Sequence, residues 1–240
     1  MLFVKFVFVL NNFVVKSKKN QRFLRFLCET IALLALCACV NDPYESGDGK
    51  YSYLRADFGE IRTGASTVAL GAVTDEGETL TFASPYTVSW ALKADTIYRS
   101  LIYYDKQDDG KTTPQAISRV PVVKIYETTR PDTLKYDPVT FESAWVSKSG
   151  KYLNVGFFIK TGQAEGIDAV QTVGVMQEAV VDEGGVTTLR LKLFHDQKGV
   201  PEYYSSRAFI SIPLKDVSAD NIILSVPTYN EGWTTVQPSK

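Results

Sequence analysis

Hydrophobic and polar residues alternate with a period close to two through most of the chain after residue 50. The clearest example has an apolar residue at every second position: Leu153, Val155, Phe157 and Ile159. A second example consists of Leu189, Leu191 and Leu193, which are separated by Arg190 and Lys192. Successive side chains of a strand point to opposite faces, so this period predicts strands with one face in a core. The pattern therefore predicts an all-β protein.

The first half of this β region reads as five short strands. They are predicted over residues 51–58, 66–74, 78–82, 96–104 and 116–126. Asp75-Glu76-Gly77 supplies a tight turn, because glycine takes a positive φ at no steric cost. Five short strands predict a small closed barrel over residues 51–126, since closure removes exposed sheet edges. Residues 85–93, which include Trp90, are expected to form a short helix or a cap over one barrel end.

Residues 127–138 contain two prolines and mixed charge without any period, which predicts a linker between two domains. The strand pattern then resumes over residues 139–240. Six or seven strands are predicted there, at 141–147, 152–159, 169–181, 189–193, 207–213 and 222–226, with a further one at 233–236. Their number and spacing favour an antiparallel β-sandwich of about 100 residues.

The chain begins with a leader that does not follow this pattern. Basic residues precede a short apolar run, Phe26 to Leu36, and small Ala38 then precedes Cys39. That order is typical of a secretory signal. The alternative is a transmembrane helix, but the run has 11 residues and contains Glu29, whereas a span takes roughly 20 apolar residues.

Residues Leu36-Cys37-Ala38-Cys39 resemble the lipobox of bacterial lipoproteins. This resemblance implies cleavage after Ala38 and a diacylglycerol on Cys39, which would anchor the chain to a membrane. A plain cleaved signal remains the alternative. Residues 1–38 are then the signal peptide, and an upstream start codon would explain its first 15 residues. Cys28 and Cys37 leave with the signal, so Cys39 keeps no disulfide partner.

The composition after the leader predicts a tether and argues against nucleic-acid binding. Residues 39–50 are acidic and contain proline and glycine, which predicts a flexible tether. The chain from Cys39 onward has 20 basic and 26 acidic residues, a net charge of −6. No basic cluster is present to displace counterions from a phosphate backbone, so we expect no nucleic-acid binding.

The sequence offers little catalytic chemistry. His195, beside Asp196, is the single histidine; it could serve as a general base, although we favour a surface or turn residue. No G-x-S-x-G elbow and no Walker loop is present, and one cysteine with one histidine cannot form a zinc site. Residues 105–110, DKQDDG, begin like a calcium loop but have Ala116 at the twelfth position. We therefore expect no enzyme activity, no cofactor and no metal.

Aromatic residues remain as candidates for recognition. Tyrosine, tryptophan and phenylalanine make up 12% of the chain, and their rings either fill the two cores or form a binding face. Tyr203 and Tyr204 lie in a predicted turn. They are the best candidates for an exposed binding surface.

Several segments together resemble the NigD-like lipoproteins of Bacteroidetes. These segments are 53–59, 150–155, 189–195, 201–204 and 209–214. The resemblance implies an N-terminal OB-like barrel and a C-terminal β-sandwich behind a lipoprotein signal. It supplies no catalytic residues, and the family name derives from an operon associated with bacteriocin production.

Two functional hypotheses follow. The first is a non-catalytic cell-envelope lipoprotein that binds a partner protein, with a bacteriocin-associated role such as self-protection. The second is an accessory lipoprotein that binds or processes glycans, for which hydrolysis would need two carboxylates about 5 to 10 Å apart. Both place the protein in the envelope, lipid-anchored, at the outer membrane on its periplasmic face or at the cell surface.

Overall fold

The computed structural model describes residues 54–106, 111–127 and 129–239. These residues form thirteen strands, one short 3-10 turn over Pro131–Thr133 and no α-helix. The predicted all-β class is confirmed. The leader, with Ala38 and Cys39, and the tether lie outside the described residues.

Five strands form a closed barrel in the order β1-β2-β3-β5-β4. Their bounds are β1 Leu54–Thr63, β2 Val68–Thr74, β3 Thr79–Thr87, β4 Ile97–Lys106 and β5 Thr112–Arg119. β1 pairs with both β2 and β4, and the single pair Phe82↔Thr112 joins β3 to β5. Ile61, Leu80 and Ile102 are fully buried inside the barrel, as the alternating pattern requires.

The segment predicted as a helix or cap after β3 is a cap and not a helix. β3 continues through Pro85 to Thr87, where the register with β2 shifts and a missing N–H is tolerated. The loop that follows places Val88 and Ala91 in the barrel core. Trp90 Nε1 donates a hydrogen bond to the Ile117 carbonyl oxygen at 2.9 Å, which fixes the loop over the barrel end.

Two further sheets pack face to face as a sandwich. One has the order β13-β12-β10-β9-β6 and the other β11-β8-β7. Their bounds are β6 Ile125–Tyr126, β7 Thr140–Val146, β8 Tyr152–Thr161, β9 Thr172–Glu183, β10 Val186–Asp196, β11 Tyr204–Pro213, β12 Asn221–Thr228 and β13 Gly232–Val236. The predicted β-sandwich is confirmed; antiparallel pairs predominate in it, and β6–β9 and β10–β12 are parallel pairs. The core comprises the inward residues of β8, β10, β11 and β12.

The chain enters the sandwich earlier than we expected. The strand predicted over 116–126 ends at Arg119, because Pro121 has no N–H for the ladder. Residues 121–123 instead hydrogen-bond to Ser211 of β11, and β6 pairs with β9. The expected linker, 127–138, also contributes to the sandwich, since the amides of Asp137 and His195 bond to backbone oxygens across it.

Candidate binding surface

Arg99 of β4 joins the barrel to the sandwich. Its Nη1 and Nη2 donate to the two carboxylate oxygens of Asp75 at 2.6 and 2.5 Å. Its Nη2 also donates to Asn154 Oδ1, and its Nε donates to Ser211 Oγ, both at 3.0 Å. Ser211 Oγ donates to Asn154 Oδ1 at 2.7 Å. A buried charge is tolerated only when it is paired and hydrogen-bonded, and this guanidinium meets both conditions.

Aromatic rings enclose this polar group. The Arg99 guanidinium carbon lies 4.3 Å from the ring centroid of Tyr152 and 5.6 Å from that of Phe58. Phe58 of the barrel also meets Trp145 and Phe209 of the sandwich edge-on, with both centroid distances 5.2 Å. The rings exclude water, which strengthens the ion pair between them.

Two titratable groups at the edge of this contact have shifted pKa values. Burial raises the pKa of Tyr152 to about 12, helped by the hydrogen bond that its hydroxyl donates to Glu60 at 2.7 Å. Burial also acts to raise the pKa of Glu60, but hydrogen bonds from Tyr152 and Lys151 outweigh it and leave that pKa lowered. Tyr152 therefore stays neutral and Glu60 stays ionised near neutral pH, and both groups stabilise the contact between the barrel and the sandwich.

The opposite end of the sandwich carries an exposed group of aromatic and aliphatic side chains. We call it the distal surface; it consists of residues 162–171, 197–203 and 229–231, with Lys160 and Tyr204 at the adjoining strand ends. From Asn154, at the barrel contact, β8 runs seven residues to Thr161, which is about 23 Å at the usual strand rise. The loops that follow β8, β10 and β12 meet at this end.

Large apolar side chains are exposed on each of these loops. The exposed fractions are 76% for Val170, 70% for Tyr203 and 59% for Tyr204. Ile167 and Tyr229 belong to the same group. An apolar cluster in water with a polar border is typical of an interaction site.

Polar contacts fix the arrangement of this surface. Lys160 Nζ lies 3.3 Å from a carboxylate oxygen of Glu202 and 4.5 Å from the ring centroid of Tyr229. Burial, followed by the negative charges of Glu202 and Asp137, raises the pKa of Tyr229. The ring of Tyr203 lies over Gly162, where a Cβ would come within 2.7 Å of Tyr203 Cδ2. Tyr203 and Tyr229 thus have defined contacts before any partner binds.

His195 lies beneath the distal surface and is fully buried, so the expectation of a surface or turn residue is wrong. It continues the inward series of Leu191 and Leu193, and the segment around Asp137 covers it. Its Nδ1 lies 3.2 Å from the Asp137 carbonyl oxygen and its Nε2 lies 2.9 Å from Gln171 Oε1. Gln171 Nε2 in turn donates to the Lys160 carbonyl oxygen at 2.7 Å. Both ring nitrogens are occupied, and they connect the loops above.

The other candidate residues differ in how exposed they are in the structure. Tyr203 and Tyr204 are exposed, whereas Tyr104 is fully buried in the barrel. Residues 107–110 of the DKQDDG segment lie outside the described residues. Among the residues that are described, no group of His, Cys, Asp and Glu is arranged to hold a metal ion, and no helix has the length and apolar character of a membrane span.

Several residues of the distal surface escaped prediction from sequence. Ile167, Val170 and Tyr229 lie in segments that read as strand edges or turns, and Lys160 reads as an ordinary strand residue. The run Glu165-Gly166-Ile167-Asp168 carries polar and glycine residues around an apolar one. That composition is the one signal that could have indicated an exposed apolar loop.

A second aromatic group lies on the five-stranded sheet. Trp233 of β13 is 45% exposed and meets Tyr136 edge-on at 5.3 Å between centroids. Lys192 Nζ lies 4.3 Å from the Trp233 ring centroid and pairs with Glu178 at 3.4 Å. Burial, followed by the Glu178 charge, raises the pKa of Tyr136.

The barrel followed by the sandwich defines a class of two-domain all-β protein. Residues 121–238 match the family model of the NigD-like C-terminal beta sandwich domain. Residues 121–238 therefore form a NigD-like C-terminal domain, which supports the NigD-like family that the resemblance indicated. No curated protein is significantly similar to it.

Solved structures share the two-domain fold. A NigD-like immunity protein from Bacteroides caccae is 23% identical, with a TM-score of 0.58 over 78% of this chain and 92% of that one. A provisionally assigned toxin-related protein from Parabacteroides distasonis is 15% identical, with a TM-score of 0.58 over 77% and 91% of the two chains. A provisionally assigned lipoprotein from Bacteroides fragilis is 12% identical, with a TM-score of 0.57 over 78% and 97%. At these identities the likeness shows the fold.

Proposed function

We propose that this protein is a non-catalytic, lipid-anchored cell-envelope protein that binds a partner protein through its distal surface. One observation carries the proposal: five large apolar side chains, four on loops and Tyr204 at the start of β11, are exposed at one end of the sandwich. Binding residues commonly lie on such loops, because the scaffold positions them at little entropic cost.

Buried polar groups argue against catalysis within the described residues. Both nitrogens of His195 are engaged by an amide oxygen and a backbone carbonyl oxygen. The Arg99–Asp75 pair is enclosed by aromatic rings and serves the contact between the domains. A general base needs a free nitrogen within reach of a substrate, which neither group offers.

The names of two similar proteins favour a toxin or bacteriocin as the partner. The Bacteroides caccae protein is called an immunity protein, and the Parabacteroides distasonis protein is called toxin-related. The Bacteroides fragilis protein is called a lipoprotein, which supports the anchor at Cys39. The lipobox resemblance supports a membrane anchor, and the outer membrane is part of our proposal.

Glycan binding is the second candidate function, and the group around Trp233 favours it. Its exposed ring and the neighbouring Lys192–Glu178 pair could stack on a sugar and bond to its hydroxyls. The distal surface has five exposed large apolar side chains, whereas Trp233 is the one exposed ring of this second group. We therefore place the protein partner first.

A photo-crosslinking amino acid at position 203 tests the partner proposal in native envelopes. We expect a specific cross-linked protein from position 203 and none from position 92, since Leu92 is an exposed barrel residue. Equal products from both positions, or a cross-linked glycan from position 203 alone, would contradict the proposal.

Detergent partitioning tests the anchor separately. Cys39→Ser should move the protein into the aqueous phase, because it removes the acylated thiol. Cys37→Ser is the matched control and should stay in the detergent phase. If Cys39→Ser still partitions with detergent, the anchor assignment fails while the binding proposal stands.

A further inference from the structure

We infer that the distal surface recognises a cationic, apolar segment of its partner, an inference that rests on the proposed function. Its loops combine exposed tyrosine rings with an excess of carboxylates. The acidic residues on this surface are Glu165, Asp168, Glu202 and Glu231, against the two basic residues Lys160 and Lys198.

The negative charge of this surface is only partly neutralised. Lys160 pairs with Glu202, and that ion pair lies in the open. Glu165 and Asp168 have no ion-pair partner within the described ranges, and both flank the exposed Ile167. A lysine or arginine of a partner would meet uncompensated carboxylates directly beside an apolar contact, which is the arrangement that selects a cationic segment.

The tyrosines add a second preference for cations. A tyrosine ring attracts an ammonium or guanidinium group over its face. The surface already shows this contact once, because Lys160 Nζ lies 4.5 Å from the Tyr229 centroid. Tyr203 and Tyr204 are more exposed than Tyr229, and they are available for the same contact with a partner.

The same charge pattern disfavours other occupants. Two copies of this chain would bring like charges together at their distal surfaces, which costs binding energy. A nucleic acid would be repelled by the same carboxylates. A sugar would use the tyrosine rings without any need for the carboxylate excess, so its binding would be insensitive to salt.

The test uses the full-length protein and three short amphipathic peptides. One peptide consists of lysine and leucine, and the other two carry glutamine or glutamate in place of each lysine. Dissociation constants are measured by fluorescence anisotropy of labelled peptide at low and at physiological salt. We expect the lysine peptide to bind at least about tenfold more tightly than the glutamine peptide, with weaker binding at higher salt.

Three variants locate the binding. Glu165→Gln with Asp168→Asn should weaken the lysine peptide roughly threefold to tenfold. Tyr203→Ala with Tyr204→Ala should weaken it at least about tenfold, because exposed aromatic anchors dominate such contacts. Asp182→Asn with Glu183→Gln makes the same charge change in the last two residues of β9, at the other end of the sandwich, and should have no effect.

Each other outcome overturns the inference. If the Asp182/Glu183 variant loses affinity for the lysine peptide equally, the attraction between charges is not specific to the distal surface. If the glutamine or glutamate peptide binds more tightly than the lysine peptide, the surface does not select a cationic segment. A soluble oligosaccharide that displaces the lysine peptide would identify a glycan site. If the peptide test fails but position 203 still gives a specific cross-linked protein, the inference of a cationic segment is wrong and the protein-binding proposal stands.

Discussion

The two ends of the sandwich use the same residue types in opposite ways. At the barrel contact, Arg99 lies over the Tyr152 ring and pairs with a carboxylate, and the side chains of this ion pair are only 1% and 16% exposed. At the distal surface, Lys160 lies over the Tyr229 ring and pairs with a carboxylate, but in contact with solvent. One arrangement joins two domains, and the other is open to a partner.

The difference shows that burial decides what such a cluster does. An ion pair and its rings in a low-dielectric contact contribute strongly to cohesion, because losing one member leaves the other charge buried. The same groups in water contribute little to stability. Substitutions at the two ends should therefore separate effects on folding from effects on binding.

Arg99→Met should have the largest effect on stability. It leaves the Asp75 carboxylate, which is 16% exposed, without its partner, and we expect a loss of about 3–5 kcal/mol in the free energy of unfolding. Urea denaturation followed by tryptophan fluorescence measures it. Lys148→Met is the control, because the Lys148–Glu76 pair is exposed and its loss should leave the free energy of unfolding nearly unchanged. Equal losses would contradict the comparison.

Asn154→Ala should have an intermediate effect. Asn154 is fully buried, and its removal leaves Ser211 Oγ without its acceptor and takes one of the two acceptors of Arg99 Nη2. We expect a loss of about 1–3 kcal/mol, measured by the same denaturation. Ser225→Ala, which removes a long surface contact to Thr235, should change stability by less than about 0.5 kcal/mol. A smaller loss for Asn154→Ala than for Ser225→Ala would refute this account.

High pH should weaken the contact between the barrel and the sandwich. The pKa of Tyr152 is raised from 10.0 to about 12 by burial and by its bond to Glu60. A tyrosine with a raised folded-state pKa contributes stability below pH 10 and loses it as the pH rises towards 12. Denaturation midpoints across this range measure the loss. Tyr104, whose pKa is also raised to about 12, contributes in the same window, so Tyr152→Phe should flatten the profile only in part.

Tyr203→Ala with Tyr204→Ala should have the smallest effect on stability. Both side chains are exposed, so we expect a change within about 1 kcal/mol in the free energy of unfolding. A photo-reactive residue placed at position 170 of this variant should nevertheless no longer cross-link the partner protein. A large loss of stability would instead give these tyrosines a structural role.

Much of the fold could be predicted because strand periodicity is local. Leu153, Val155 and Phe157 are all fully buried, as their alternation indicated. The boundary between the domains could not be placed from periodicity, since residues 121–139 join the sandwich through isolated backbone bonds to Ser211, His195 and Pro227. Such bonds leave no periodic pattern in the sequence.

The candidate site was predictable only in part, for the same reason. Tyr203 could be assigned to an exposed turn from its immediate neighbours, whereas Tyr204, expected in the same turn, is exposed but begins β11. Tyr229, Ile167 and Val170 could not, because their exposure depends on how loops that are distant in sequence end at one edge of the sandwich. His195 was misassigned, since its cover comes from Asp137 and Gln171 rather than from its own strand.

The sequence by itself determined the all-β class, the inward face of the main strands and the leader that precedes them, because each depends on residues within a few positions of one another. Tertiary structure alone decided which outward residues become buried. Asn154 and Ser211 occupy outward positions of β8 and β11, yet both are fully buried. They are buried because a second domain packs on that face, and no local pattern encodes where a distant surface will pack.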